Sequence, residues 1–221
     1  MSTGISIGTI VQDEGTTVPA NDVINFIGTG VSVSNVGGKA EVNIPGNIPA
    51  TNYGLFAQTA NSTIITNTTA ESSLINGGVG TLTVPANAFQ VGDSFRAVFG
   101  GVMNAINNQT IRIRVKAGSV LLLDSLAQNL GSSVINDVWS LNIDFTIRAI
   151  GAAGVASIVS LGSFHYTKTN NASVQGFGFN IVNNTTFNTT IANTLDVTAQ
   201  WGAASTGNNI YSDIFILNKI Y

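Results

Sequence analysis

The chain has 221 residues, 44% of them hydrophobic and only 9% charged, against a usual charged share of roughly 25%. A net charge of −3 and the absence of cysteine exclude charge-driven attraction to nucleic acid or anionic membrane, disulfides, thiolate catalysis and cysteine-based zinc sites. Apolar content is ample for a core, so solubility rests on Asn, Thr, Ser and Gly, and stability on packing and association.

The opening residues lack the basic region and apolar run of a signal peptide. No stretch approaches the roughly 18 apolar residues of a membrane span, so cytoplasmic synthesis without membrane insertion is expected. Short strands are predicted over Ile5–Val11, Val23–Phe26, Gly30–Val33 and Lys39–Ile44, with Gly37 and Gly38 as a hairpin turn. Residues 1–46 carry few large side chains and bury too little to stand alone, so they read as an anchoring or intertwining β module. Its apolar positions Ile5, Ile7, Ile10, Val11, Phe26, Val31 and Val33 are the expected anchoring residues. Pro49 and its polar neighbours interrupt the pattern, which makes residues 47–52 a linker.

Residues 53–221 form the second predicted domain. Gln109–Lys116 sets Ile111, Ile113 and Val115 opposite Arg112, Arg114 and Lys116. Val138–Ala149 likewise sets Trp139, Leu141, Ile143, Phe145 and Ile147 opposite polar residues. Further strands are predicted at Tyr53–Thr59, Ser62–Thr66, Gly80–Val84, Ser94–Gly101, Ser119–Asp124, Gly154–Thr167, Val174–Ile181, Leu195–Trp201 and Ile210–Tyr221. One turn of helix is the most that the sequence offers, near Pro85–Phe89. The fold class is therefore all-β, an antiparallel two-sheet sandwich of jelly-roll-like type behind a small N-terminal strand module.

The closing strand is apolar on both faces. Simple alternation places Ile210, Ile214, Ile216 and Ile220 on one side and Tyr211, Phe215, Leu217 and Tyr221 on the other. Something must cover both, and a second copy of the chain is the simplest cover, so these eight residues are the expected oligomer interface.

Parts for catalysis are scarce. His165 is the single histidine, lies between aromatics on a strand and has no nucleophile elbow in the sequence to serve. Asp124, Asp137, Asp144, Asp196 and Asp213 are scattered singly, which fits a solvated surface better than a glycosidase pair. Asp13, Glu14 and Asp93 stand in glycine-containing turns, and no calcium loop is present. The Gly77–Gly80 cluster lacks the lysine and helix of a phosphate loop and reads as a turn. No catalytic, cofactor or metal site is assigned. The basic stripe Arg112, Arg114 and Lys116 reads first as a salt-bridge ladder and, as its functional version, as a contact for an acidic surface. Trp139 and Trp201 belong to the core, while Asn170, Asn171, Gln175, Asn183, Asn184 and Asn188 suit either turns or hydrogen bonding to a glycan.

The stretches Val11–Pro19, Ile24–Val33 and Gly38–Gly46 together resemble a β module of phage and phage-like virion proteins. The ending, Leu195–Ser205 with Asn209–Tyr221, resembles the closing strands of virion-associated jelly-roll domains that assemble as trimers. This resemblance implies a non-enzymatic structural protein on the outer surface of a tailed-phage particle: a capsid decoration or cement protein, a head fibre or a short tail fibre. Its implied partners are its own copies in a homotrimer and the major capsid protein or another virion protein. A fibre knob that recognises a host cell-surface glycan is the alternative. At this length the chain lacks the repetitive shaft of a full tail fibre, which favours decoration over a reaching adhesin.

Overall fold

A computed structural model of the chain describes residues 11–13, 16–18, 32–36, 39–43, 54–168, 173–182 and 185–221. The chain divides into two compact units, Met1–Thr51 and Asn52–Tyr221. Within the first, β1 (Val11–Asp13) pairs antiparallel with β2 (Thr16–Val18), and β3 (Ser32–Val36) with β4 (Lys39–Asn43). Two of the expected anchoring residues fall on these hairpins, Val11 opposite Val18 and Val33 opposite Val42. Ile5, Ile7, Ile10, Phe26 and Val31 lie outside the described residues, as does the whole of the expected linker 47–52.

The second unit is an antiparallel two-sheet sandwich, with no helix among the described residues. Its strands are β5 (Gly54–Gln58), β6 (Ile65–Thr66), β7 (Ser72–Ser73), β8 (Gly78–Gly80), β9 (Thr83–Val84), β10 (Ser94–Ala105), β11 (Thr110–Ala117), β12 (Val120–Asp124), β13 (Gln128–Asn129), β14 (Val134–Ala149), β15 (Ser157–Lys168), β16 (Ser173–Val182), β17 (Asn193–Trp201) and β18 (Asn209–Lys219). The large sheet runs β16-β15-β14-β10-β18-β5-β8, with β6 also on β18. The small sheet runs β12-β11-β17-β7, with β13 on β11 and β9 on β17. The chain passes from the large sheet to the small at β6–β7, β8–β9, β10–β11 and β16–β17, and returns by β8, β10, β14 and β18. That is a jelly-roll-like wrap with β15 and β16 extending one edge.

Three expected elements differ. The strand expected over Gly80–Val84 is split, Gly80 ending β8 on the large sheet and Thr83–Val84 forming β9 on the small one. Pro85–Phe89 is a β-turn, because Asn87 takes a left-handed φ of 60° that no helix accommodates. The Gly77–Gly80 region is an edge strand pairing with β5 rather than a turn.

The core lies between the sheets. Phe99, Leu141, Phe164 and Phe215 point in from the large sheet, Ile111, Ile113, Val115, Val197 and Trp201 from the small one, and all are buried. Full burial of each contributes about 1.5–3 kcal/mol, and β-branched and aromatic side chains suit the pleated surface. Phe99 and Phe215 stack with ring centroids 3.9 Å apart across neighbouring strands. Both tryptophans are core residues with a satisfied indole: Trp201 Nε1 donates to the Ile65 carbonyl and Trp139 Nε1 to the Tyr211 carbonyl, each at 3.1 Å. Tyr166 donates its hydroxyl to the Leu130 carbonyl at 3.0 Å, and burial pushes its pKa up.

Candidate assembly face

The outer face of the large sheet is built from rows of side chains fixed by strand register. One row runs Val79, Ala57, Ile216, Val98, Asn142, Ser163 and Gly178 across β8, β5, β18, β10, β14, β15 and β16. A second runs Ile214, Gly100, Ser140, His165 and Gly176, and a third Tyr211, Val102 and Val138. Over β8, β5, β18 and β10 these rows are therefore apolar or small, and β14 adds Asn142 and Ser140 beside Val138, with Val79 63%, Val138 60% and Ile214 48% exposed. Charge enters at the next row, where Arg96 Nε meets Asp144 Oδ1 at 2.8 Å, and at the bulge, where Asp213 is exposed between Tyr211 and Ile214. His165 stands exposed at the side of the patch, its ring over Gly176.

A β-bulge decides which residues of β18 reach this face. Gly100 pairs with Ile214 but Gly101 pairs with Ser212, leaving Asp213 as the extra residue. A Cβ on Gly101 would sit 2.0 Å from the Tyr211 carbonyl oxygen, the same oxygen that accepts from Trp139. Glycine at 101 thus permits the close approach, and the indole secures it.

This bulge corrects the alternation expected for the closing strand. Ile210, Ser212, Phe215 and Leu217 all face inward and are buried by the chain's own sandwich, so Ile210, Phe215 and Leu217 leave the expected interface. Tyr211, Ile214 and Ile216 face outward together. Ile220 and Tyr221 follow the strand, both exposed, with Ile220 N–H donating to the Ser94 carbonyl at 2.8 Å.

The basic stripe occupies the outer face of the small sheet and is matched there by carboxylates. Arg112 makes a two-pronged pair with Asp124, its Nε 2.8 Å from Oδ1. Arg114 Nη1 lies 2.8 Å from Glu71 Oε2, Arg114 Nη2 donates to Gln200 at 2.9 Å, and Lys116 pairs with the other Glu71 oxygen. Thr198 adds a hydroxyl donor to Glu71. Burial opposes ionisation of Glu71, yet hydrogen bonds from Lys116 and Thr198 and the Arg114 charge hold its carboxyl below the usual range. Asp124 is lowered chiefly by the Arg112 hydrogen bond, against burial, with help from the Leu126 N–H. The three cations expected to meet an external acidic surface thus serve the ladder already built by this chain. Glu71 had no signal in the sequence, because it precedes a two-residue strand that alternation does not reveal.

The remaining carboxylates stay apart. Asp196 accepts from Ser73 at 2.6 Å, Asp93 pairs with Lys219 at 2.6 Å, Asp213 is exposed in the bulge, and Asp137 is buried with one oxygen unpartnered. Among the described residues no group of three or more His, Asp or Glu is placed to hold a metal ion. Of the residues named for glycan contact, Gln175 is exposed on β16 and Asn188 accepts from the Thr190 N–H at 2.8 Å; Asn170, Asn171, Asn183 and Asn184 lie outside the described residues. No family model, curated protein or solved structure matches this chain.

Proposed function

We propose that the protein is a non-enzymatic structural subunit that assembles with its own copies through the outer face of the large sheet, as a homotrimer on the exterior of a tailed-phage capsid. The observation that supports assembly is the largely apolar patch of Val79, Ile216, Val98, Ile214, Tyr211, Val102 and Val138, brought together from four strands, with the exposed carboxylate of Asp213 at the bulge beside Ile214. A contiguous apolar area of this kind is what partner surfaces cover. Its charged border, Arg96 with Asp144, is internally neutral, so the exposed Asp213 carboxylate is the charge that approaching copies must accommodate. The number three and the capsid setting rest on the resemblance of the closing strands and the N-terminal module to virion proteins. In this reading residues 1–46 dock on the major capsid protein, and the sandwich clamps neighbouring positions.

Light scattering on the purified full chain tests the assembly. The expected mass is about three times that of the 22.9 kDa chain, and a stable single subunit at tens of micromolar overturns the reading. Co-sedimentation with empty capsids, together with raised resistance of those capsids to heat, tests the setting. A trimer that ignores capsids but binds a sugar array would instead be a receptor-binding knob.

A further inference from the structure

At one end of the sandwich the two sheets do not close on each other, leaving a cavity of about 240 Å³. Phe95, Phe145 and Leu217 line it from the large sheet, and Ala117, Leu122 and Leu195 from the small one. Ala117 is the cause on the small-sheet side: it ends the inward row Ile111, Ile113, Val115 with the smallest side chain of the four. The segment carrying β9 and the turn after it forms a further wall, where Phe89 packs edge-on to Phe95 and Phe187 with centroids 6.0 and 5.7 Å apart.

The lining is mainly aliphatic and aromatic; Thr81, Thr83 and Asn193 also line it, their side chains committed to hydrogen bonds with Thr83, Thr194, Asn188 and Ile191, and the charged groups stand at one end. There Asp93 is buried and Lys219 reaches toward solvent, with Nζ 2.6 Å from Asp93 Oδ1, while Asp93 Oδ2 accepts the Gln90 N–H at 2.9 Å. Each carboxylate oxygen keeps a further lone pair available. Water gains nothing along the apolar walls, since it needs two to four polar partners, and an unfilled void forfeits dispersion contacts for every atom that lines it.

We propose that this cavity is a binding site for a small neutral amphiphile, with an alkyl or aromatic tail between the sheets and a hydrogen-bond-donating head on the Asp93 carboxylate. The size follows from volume: a cavity of about 150 Å³ takes benzene, so this one takes on the order of ten heavy atoms. Neutrality follows from the rim. The Asp93–Lys219 pair is already balanced, so an anionic head meets the Asp93 carboxylate and a cationic head meets Lys219. The site lies inside one sandwich and does not depend on the assembly reading.

Titration of the full chain with 1-octanol, followed by calorimetry and methyl NMR, tests it. Expected is saturable binding of one molecule per chain, with Kd on the order of 10–100 µM, and shifts concentrated on Leu122, Leu195 and Leu217. Octanoate, with the same tail and a charged head, is expected to bind about tenfold more weakly. Ala117→Phe fills the space and is expected to cost at least about tenfold in affinity without lowering Tm. Ala117→Leu, a milder filling, should weaken binding in the same direction and serves if the larger ring impairs folding. Absence of saturable binding up to the solubility limit of octanol overturns the proposal, as does undiminished binding in a folded Ala117 variant. Equal affinity for octanol and octanoate overturns the role given to Asp93.

Discussion

The outer faces of the two sheets make opposite use of the same period-two pattern. On the small sheet the outward side chains of β11 are Arg112, Arg114 and Lys116, and Glu71 and Asp124 match them, with Gln200 and Thr198 completing the hydrogen bonds. On the large sheet the corresponding positions of β10 and β18 are Val98, Gly100, Val102, Tyr211, Ile214 and Ile216, of which Ile214 is 48% exposed and the others half-buried, with Asp213 exposed at the bulge among them. With only eight basic and eleven acidic residues in all, concentrating five of them in one ladder leaves little charge for the other face. The first face is satisfied by its own residues; the second has its backbone paired but its apolar side chains still in water, which supports the reading that copies of the chain cover it.

The largest effect that separates the faces comes from neighbours on one strand. Phe215→Asp or Leu217→Asp places a carboxylate inside the sandwich, where even truncation of a buried Phe or Leu costs about 2–5 kcal/mol and an unpaired charge adds more. Unfolding is expected, visible as loss of the cooperative thermal transition. Ile214→Asp and Ile216→Asp alter only the outer face, so the fold should survive within about 1 kcal/mol while light scattering shows a single subunit. An Ile216→Asp chain that keeps its multimeric mass would remove this face from the assembly.

Next in size is the bulge that assigns those residues to their sides. Gly101→Ala drives a methyl into the Tyr211 carbonyl, so backbone must move and the Trp139 hydrogen bond must lengthen. A loss on the order of 2–3 kcal/mol is expected in chemical denaturation. Trp139→Phe removes the bond but not the space, and should cost less than Gly101→Ala. The reverse ranking would show that the indole, not the glycine, holds the bulge.

That bulge also marks where the sequence stops being legible. Alternation in Gln109–Lys116 and Val138–Ala149 read out β11 and most of β14, and both tryptophans fell on the side their neighbours indicated. Alternation also gave the all-β sandwich, because half-buried strands carry their own period. The closing strand carries no such mark. Its bulge depends on the close approach that Gly101 on the neighbouring strand permits, so inspection of residues 210–221 alone joins Phe215 to Tyr211 when the two point to opposite sides. Ladder partners are hidden for a similar reason. Asp124 ends a visible strand beside the basic stripe, whereas Glu71 reaches Arg114 and Lys116 only through the pairing of β7 with β17. The cavity was illegible altogether, being the outcome of one small residue and the spacing of two sheets.

The ladder predicts a smaller, pH-dependent effect. Glu71→Gln leaves Lys116 without its counter-charge and Arg114 with only Asp124, at 3.8 Å, in a partly buried setting, and is expected to cost about 2 kcal/mol. Glu71 and Asp124 both have folded pKa values below the ordinary carboxylate range, so the unfolded chain binds their protons more readily. Their contribution is therefore full above the unfolded values near pH 4 and is lost as pH falls through the lowered folded values. Tm should be flat from neutral pH to about 5 and fall steeply below 4. In a Glu71→Gln, Asp124→Asn double variant that acid limb should be shallower, and an unchanged limb would assign it to other carboxylates.

The smallest effect on the fold, and the most discriminating for the comparison, is expected from Arg96→Glu. Arg96 and Asp144 are both well exposed, so the pair contributes little to folding and Tm of the isolated sandwich should not move. What changes is the border of the apolar patch, which passes from balanced to doubly negative beside Asp144. If copies meet across this face, like charges converge at the contact, association weakens, and added salt restores it by screening. Sedimentation at low and high salt reads this directly. A variant that assembles like the wild type at low salt would place the contact away from Arg96 and shift it toward Val79 and Val138, at opposite margins of the same apolar area.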